Sequence, residues 1–263
     1  MRNGSVYGKI LPWLYLVAVY FMIAGCSSAT LDNDSPPETQ YAEGERLFEK
    51  DRFLESVERF RILKSRYPYS KYAALATLKI GDVHFKDEAF LEAAAAYKIF
   101  RDLYPKHELA SYALFRIGES FFNQMPSTTD RDLDPAQSAI DAYSSLIAEY
   151  PAAPQRAEAE KRIHELREKL AEKEIYVGDF YFKRELYQAA AGRYLFLVDK
   201  YPEFSKNEKS LYRLAYSYER MGEYAKADSA LKRLESEFPK DESDRKTLRK
   251  KIVAGLGSQD EPK

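Results

Sequence analysis

The 263 residues hold one cysteine, one tryptophan and three histidines. A single cysteine excludes an internal disulfide and a Cys-rich zinc site. His84, His107 and His164 stand apart in sequence. His107-Glu108 and His164-Glu165 both lack the second histidine of a zinc-binding HExxH. No GxSxG, P-loop or GxGxxG occurs, so activated-serine and nucleotide chemistry have no carrier. Acidic pairs are abundant but read as solvated helix faces. No catalytic residue, no metal site and no noncovalent cofactor is therefore expected. Charge of either sign is not in excess: 41 basic residues oppose 42 acidic ones. The basic patch that nucleic acid requires is missing. The longest uncharged apolar run, residues 10–23, has 14 residues, short of the ~20 that span a bilayer as a helix.

What is present gives the lone cysteine a context. Residues 1–9 carry Arg2, Lys9 and no acid, and the apolar run follows. Two small residues then precede Cys26, a pattern that reads as a secretory signal with its cleavage site. An uncleaved anchor and an ordinary cleaved signal share parts of it. Ile23-Ala24-Gly25-Cys26 resembles the lipobox of bacterial lipoprotein precursors, whose cysteine is acylated and becomes the new N-terminus. The resemblance implies a signal over 1–25 and a covalent lipid on Cys26 that holds the chain to a membrane. More than one acyl chain is needed for stable anchoring. Ser27, in place of the aspartate that retains such proteins in the inner membrane, points to the outer membrane and its periplasmic face. Residues 26–39 are polar with Pro36-Pro37 and read as the lipidated cysteine and a flexible tether.

The rest of the chain is periodic. An aromatic-Pro pair recurs at Tyr67-Pro68, Tyr104-Pro105, Tyr150-Pro151, Tyr201-Pro202 and Phe238-Pro239. Twelve residues before each proline stands a small residue (Ser56, Ala93, Ala139, Ala190, Ala227). Eight before it stands a large one (Phe60, Tyr97, Tyr143, Tyr194, Leu231). Spaced by four, the two share one helix face, and the proline ends the helix. Further upstream recur Gly44, Gly81, Gly118, Gly178 and Ala215. The pattern resembles the tetratricopeptide repeat. It predicts an all-α solenoid of about five helix-turn-helix units, with a long helix before unit four. Stacked units of this kind expose a binding surface.

Two intervals exceed the 37-residue period. The first excess, nine residues, falls within 123–138, where Pro126, Pro135 and a Ser/Thr/Asp cluster mark a loop. The second, fourteen residues, falls in the charged stretch 154–185. Glu158/Arg162 and Glu165/Lys169 support a helix there, and Ile163, Leu166, Leu170 and Val177 keep an apolar stripe. The expected divisions are 40–152 for repeats one to three, 153–245 for the long helix with repeats four and five, and 246–263 for a helix end and a tail disordered from Gly255.

A lipobox followed by five such repeats, with Asp130-Arg131-Asp132-Leu133-Asp134-Pro135 in unit three and a long helix before unit four, resembles the BamD (ComL/YfiO) family. The resemblance implies a non-catalytic scaffold of the outer-membrane β-barrel assembly machinery. Its implied partners are the POTRA region of BamA, other Bam lipoproteins, and targeting segments of unfolded outer-membrane proteins. Tyr41, Phe48, Tyr72, His84 and Phe85 are the candidates for the client groove; Tyr41 and Phe48 suit a core equally, and His84 suits a structural place. Arg193 matches a family arginine of the BamA contact, and a surface arginine is the plain alternative. Rival readings are a secretin pilotin, a Tol-type coordinator, or a ligand-binding surface lipoprotein.

Overall fold

The computed structural model describes residues 32–126, 128, 133–239 and 243–259. Cys26, the leader and Asp130-Arg131-Asp132 lie outside them. All secondary structure among the described residues is helical. The helices are α1 (Pro37–Glu49), α2 (Phe53–Arg66), α3 (Lys71–Lys86), α4 (Phe90–Leu103), α5 (Ala110–Asn123) and α6 (Asp134–Glu149). They continue as α7 (Arg156–Lys183), α8 (Tyr187–Lys200), α9 (Asn207–Arg220), α10 (Tyr224–Glu237) and α11 (Ser243–Gln259). The expected five hairpins are present, and α7 is the expected long helix.

Each recurrent residue has a physical task. The residue before a proline is disfavoured in the helical region. Accordingly α2, α4, α6, α8 and α10 all end on the aromatic before their proline, with φ near −130° and ψ between 53° and 74°. The turns inside hairpins one, two, four and five each hold one left-handed residue: Asp51, Glu88, Glu185 and Gly222. The next amide bonds back into the first helix, as in Arg52 N to Leu47 O at 2.9 Å and Glu223 N to Tyr218 O at 2.9 Å. This is the Schellman closure. At the helix crossing the glycine lets a ring lie against backbone. A Cβ at Gly44 would stand 2.5 Å from the Phe60 ring, and one at Gly178 would stand 2.7 Å from Tyr194. Hairpin five replaces this pair by Ala215 and Leu231, both fully buried.

The contacts divide the chain after Ala76 into two compact units. The first holds α1, α2 and the start of α3. The second holds the rest of α3 and α4–α11, so residues 77–152 share a unit with 153–245. The reason is α7, which packs on α6 and also on α8.

Two expectations need correction. The tether was placed through residue 39, but α1 begins at Pro37 and residues 32–35 are bonded to the first hairpin, as in Tyr67 Oη to Asp34 O at 3.0 Å. The tail was placed from Gly255, but α11 continues to Gln259. Gly255 faces the Tyr224 ring at another close crossing. Leu248 and Ile252 bury the same helix, and Arg245 ties it down through Phe238 O at 2.6 Å and Glu208 at 2.5 Å. A glycine without turn partners does not end a helix when a ring needs its missing Cβ.

Candidate functional site

The expected client-groove residues fall in both units. In the first, Tyr41 lies against Phe60 and Tyr72, with ring centroids 5.5 and 5.6 Å away. Both tyrosines are half-buried, and Lys71 Nζ stands 5.1 Å from the Tyr72 ring. Phe48 instead pairs with Phe53 across the α1–α2 turn at 6.5 Å. In the second unit Phe85 pairs with Phe90 in the same way at 5.2 Å. Its face is covered by the Arg116 guanidinium 3.5 Å away. His84 is half-buried and accepts the Ala89 amide through its carbonyl, 2.9 Å away. Tyr41 and Tyr72 thus form one pair, while Phe48 and Phe85 serve their hairpin turns.

Phe85 belongs to a recurrent polar staple that the sequence reading missed. Directly after the crossing glycine comes an acid (Asp82, Glu119, Asp179), and four after the glycine a phenylalanine (Phe85, Phe122, Phe182). The tyrosine of the second helix donates to that acid: Tyr97 to Asp82 at 2.7 Å, Tyr143 to Glu119 at 2.6 Å, and Tyr194 to Asp179 at 2.7 Å. An arginine from a following helix closes the set. Arg116 donates to Tyr97 Oη at 3.1 Å, Arg162 to Glu119 at 3.1 Å, and Arg213 to Asp179. Each arginine also covers the phenylalanine, at 3.5, 4.2 and 5.1 Å. The signal was available: the arginine follows the glycine by 35 residues in two units and by 44 in the unit with the nine-residue insert.

Burial pushes the three staple tyrosines above the ordinary tyrosine range, and their carboxylate partners push the same way. Tyr112, which also donates to Asp82, is pushed up to about 12 by burial and then by that carboxylate. Burial acts to raise Asp179, but the donors Tyr194, Lys209 and Arg213 outweigh it and hold the group below its usual range. These groups lock one repeat to the next. No group of three His, Cys, Asp or Glu converges to hold a metal among the described residues.

Arg193 stands at a different place, on an edge that other units bury. In α5 and α9 the residues four before, one before and two after the crossing are buried: Leu114, Ile117 and Ser120, and Leu211, Leu214 and Ser217. Their counterparts in α7 are Glu174, Val177 and Phe180, none of them buried, with Phe180 43% exposed. Nine before the proline, α4, α6 and α10 carry buried alanines (Ala96, Ala142, Ala230), and α8 carries Arg193. Arg193 donates to Glu174 at 3.0 Å; its own side chain is 47% exposed and that of Glu174 is 17% exposed.

The cause is the fourteen extra residues of α7. The crossing residue normally comes thirteen after a proline, and His164 holds that place after Pro151. The first half of α7 therefore completes the stack on α6 and buries Ala159 and Leu166. The helix then runs on to Gly178, nearly four turns at ~3.6 residues each, and pairs with α8. The preceding second helix is already spent, so the edge of the fourth hairpin stays open. Tyr176 is exposed nearby, and the Arg184 guanidinium lies 3.6 Å over Phe180.

A family model described as outer membrane lipoprotein, YfiO, matches residues 33–234. A protein of Vibrio cholerae named outer membrane protein assembly factor BamD is 28% identical over 211 residues, 76% of this chain and 88% of that one. One of the same name from Neisseria meningitidis serogroup A is 30% identical over 243 residues, 86% of this chain and 91% of that one. A solved structure, the TPR2AB-domain:pHSP90-complex of yeast Sti1, covers 84% of each chain at 13% identity with a TM-score of 0.42.

Proposed function

Because the chain belongs to the YfiO family of outer membrane lipoproteins, we propose that it is a scaffold of outer-membrane protein assembly that works by binding and not by catalysis. Lipid on Cys26 anchors it at the periplasmic face of the outer membrane. The open edge of the fourth hairpin carries this reading. It offers Arg193, paired with Glu174 and half-exposed, beside exposed Phe180 and Tyr176. A folded partner that brings a carboxylate next to an apolar side chain fits it, and the POTRA region of a barrel insertase is that partner here. The Tyr41–Tyr72 pair, with Lys71 at its rim, suits the aromatic, amphipathic targeting segments of client barrels. His84 and Phe85 remain client candidates in the second unit. Half-buried rings bind such segments weakly, as hand-off requires.

The test is a mild-detergent pull-down of the lipidated chain from its native envelope, followed by mass spectrometry. Arg193→Ala and Glu174→Ala run alongside. Recovery of a POTRA-containing barrel protein, reduced by Arg193→Ala and retained by Glu174→Ala, is expected. Equal loss in both variants would make the ion pair structural and remove Arg193 from the contact. A secretin or Tol–Pal components in place of the barrel protein would overturn the assembly role.

A further inference from the structure

The first hairpin has the same edge as the fourth, but it is covered. Gln40 stands four before the crossing Gly44 and Arg59 nine before Pro68, the places of Glu174 and Arg193. They bond to each other in the same way, Arg59 Nη1 to Gln40 Oε1 at 2.9 Å. Gln40 is nevertheless fully buried. Residues 32–35 account for it. They close a turn, Ser35 N to Asp32 O at 3.0 Å, and lie on the edge. Gln40 Nε2 donates to Asp32 O at 2.9 Å and Arg59 Nη1 to Asn33 Oδ1 at 3.2 Å. Tyr67 Oη reaches Asp34 O and Ser35 O at 3.0 Å each. Arg66 pairs with the Asp34 carboxylate at 3.1 Å, an exposed contact that contributes little.

We propose that residues 32–35 are a strap that closes the edge of the first repeat and shortens the leash between the lipid anchor and that repeat. The inference rests on the anchor reading above. With the strap docked, six residue steps separate Cys26 from Asp32, which is bonded to the repeat, a reach of at most ~20 Å. With it released, eleven steps run to Pro37, a reach of roughly 37 Å. Effective concentration falls as about the −3/2 power of leash length, so docking raises it roughly 2.5-fold at the bilayer. The strap is held mainly by neutral hydrogen bonds to main-chain oxygens, each of them individually weak. It is therefore a contact that a competing segment can displace.

The experiment uses the lipidated chain in phosphatidylethanolamine/phosphatidylglycerol vesicles with a fluorescence acceptor at the headgroups. A donor goes on Leu54→Cys, an exposed site in the first unit, since the sulfur of Cys26 is acylated and silent. Gln40→Leu with Tyr67→Phe removes the neutral donors that hold the strap's main-chain oxygens; leucine is what α5 and α9 carry at that place, which protects the fold. Tyr104→Phe, the same change one repeat on, is the control. Energy transfer is expected to drop in the strap variant and to hold in the control. Unchanged transfer would overturn the leash. Amide exchange on the soluble Cys26→Ser chain tests the strap by itself. The Ser35 amide should exchange at least about tenfold faster in the strap variant while α1 and α2 amides stay protected. Equal exchange would overturn the strap. Vesicle binding that survives Cys26→Ser would sink the anchor reading, and with it the leash, while the exchange result still decides the strap.

Discussion

Tyr97, Tyr143 and Tyr194 each bury a whole ring and still deliver the hydroxyl to a carboxylate. Burying such a ring stabilises the fold by about 1.5–3 kcal/mol, and the hydroxyl needs a partner because an unpaired buried one costs about 1–3 kcal/mol. Their pKa values are shifted upward in the folded state, and Tyr112 follows to about 12. A raised folded value means that the stabilisation is complete below the unfolded tyrosine value of about 10. It is lost as pH climbs through that value toward the folded one. In an alkaline titration followed by ultraviolet absorbance, these four tyrosines should stay silent until circular dichroism reports unfolding. Smooth ionisation of every tyrosine near pH 10 with helicity intact would refute the staple. Asp179 has the opposite sign: its contribution is present above about pH 4 and fades as acid protonates it. The tyrosines themselves were legible from their spacing to proline. Their acid and arginine partners were not found, because a hydrogen-bond network joins residues 15 to 43 apart in sequence.

Between elements, the crossing pair sets how closely two helices approach. Gly178 with Tyr194 and Ala215 with Leu231 are two solutions to one packing problem, a bare backbone under a flat ring or a methyl beside a branched chain. Gly178→Ala alone should cost about 1–3 kcal/mol through overpacking. In a Tyr194→Leu background the same change should be neutral, or gain up to about 1 kcal/mol from helix propensity. Urea denaturation of the four chains gives the coupling energy. Strict additivity would show that glycine is there for some other reason. The pairing was readable in the sequence as a small residue, a large residue and a proline in fixed register. The last crossing, Gly255 on Tyr224, was not, because no aromatic-Pro pair follows it to mark the register and its Gly-Leu-Gly context reads as a breaker.

At the scale of the whole molecule, the fourteen-residue extension of α7 sets the phase of the fourth hairpin. Contacts on its first half (Arg162 with Glu119) and on its second (Glu172 with Lys206) must both be satisfied by one rigid helix. One inserted residue rotates everything beyond it by ~100°. A single alanine inserted between Lys169 and Leu170 should therefore lower the melting temperature by several degrees. It should also abolish capture of the barrel partner. The same insertion after Thr128, in the loop of hairpin three, should do neither. Thermal denaturation with the pull-down as second readout checks both, and equal tolerance at the two sites would show that α7 is a mere spacer.

Local rules settled in advance the all-α class, the five hairpins, the long helix and the absence of a motif for chemistry. Proline geometry, helix periodicity and the Gly-to-ring spacing act within one repeat, and one repeat is visible in a 37-residue window. Only the tertiary structure decided that Phe48 and Phe85 serve turns and that Arg193 stands on an open edge. It alone showed the first edge closed by residues 32–35 and α11 running on past Gly255. Each of these depends on which neighbour is present or missing across a helix face. That is a property of the stack, and the same residue type reads alike in sequence whether its face is covered or bare.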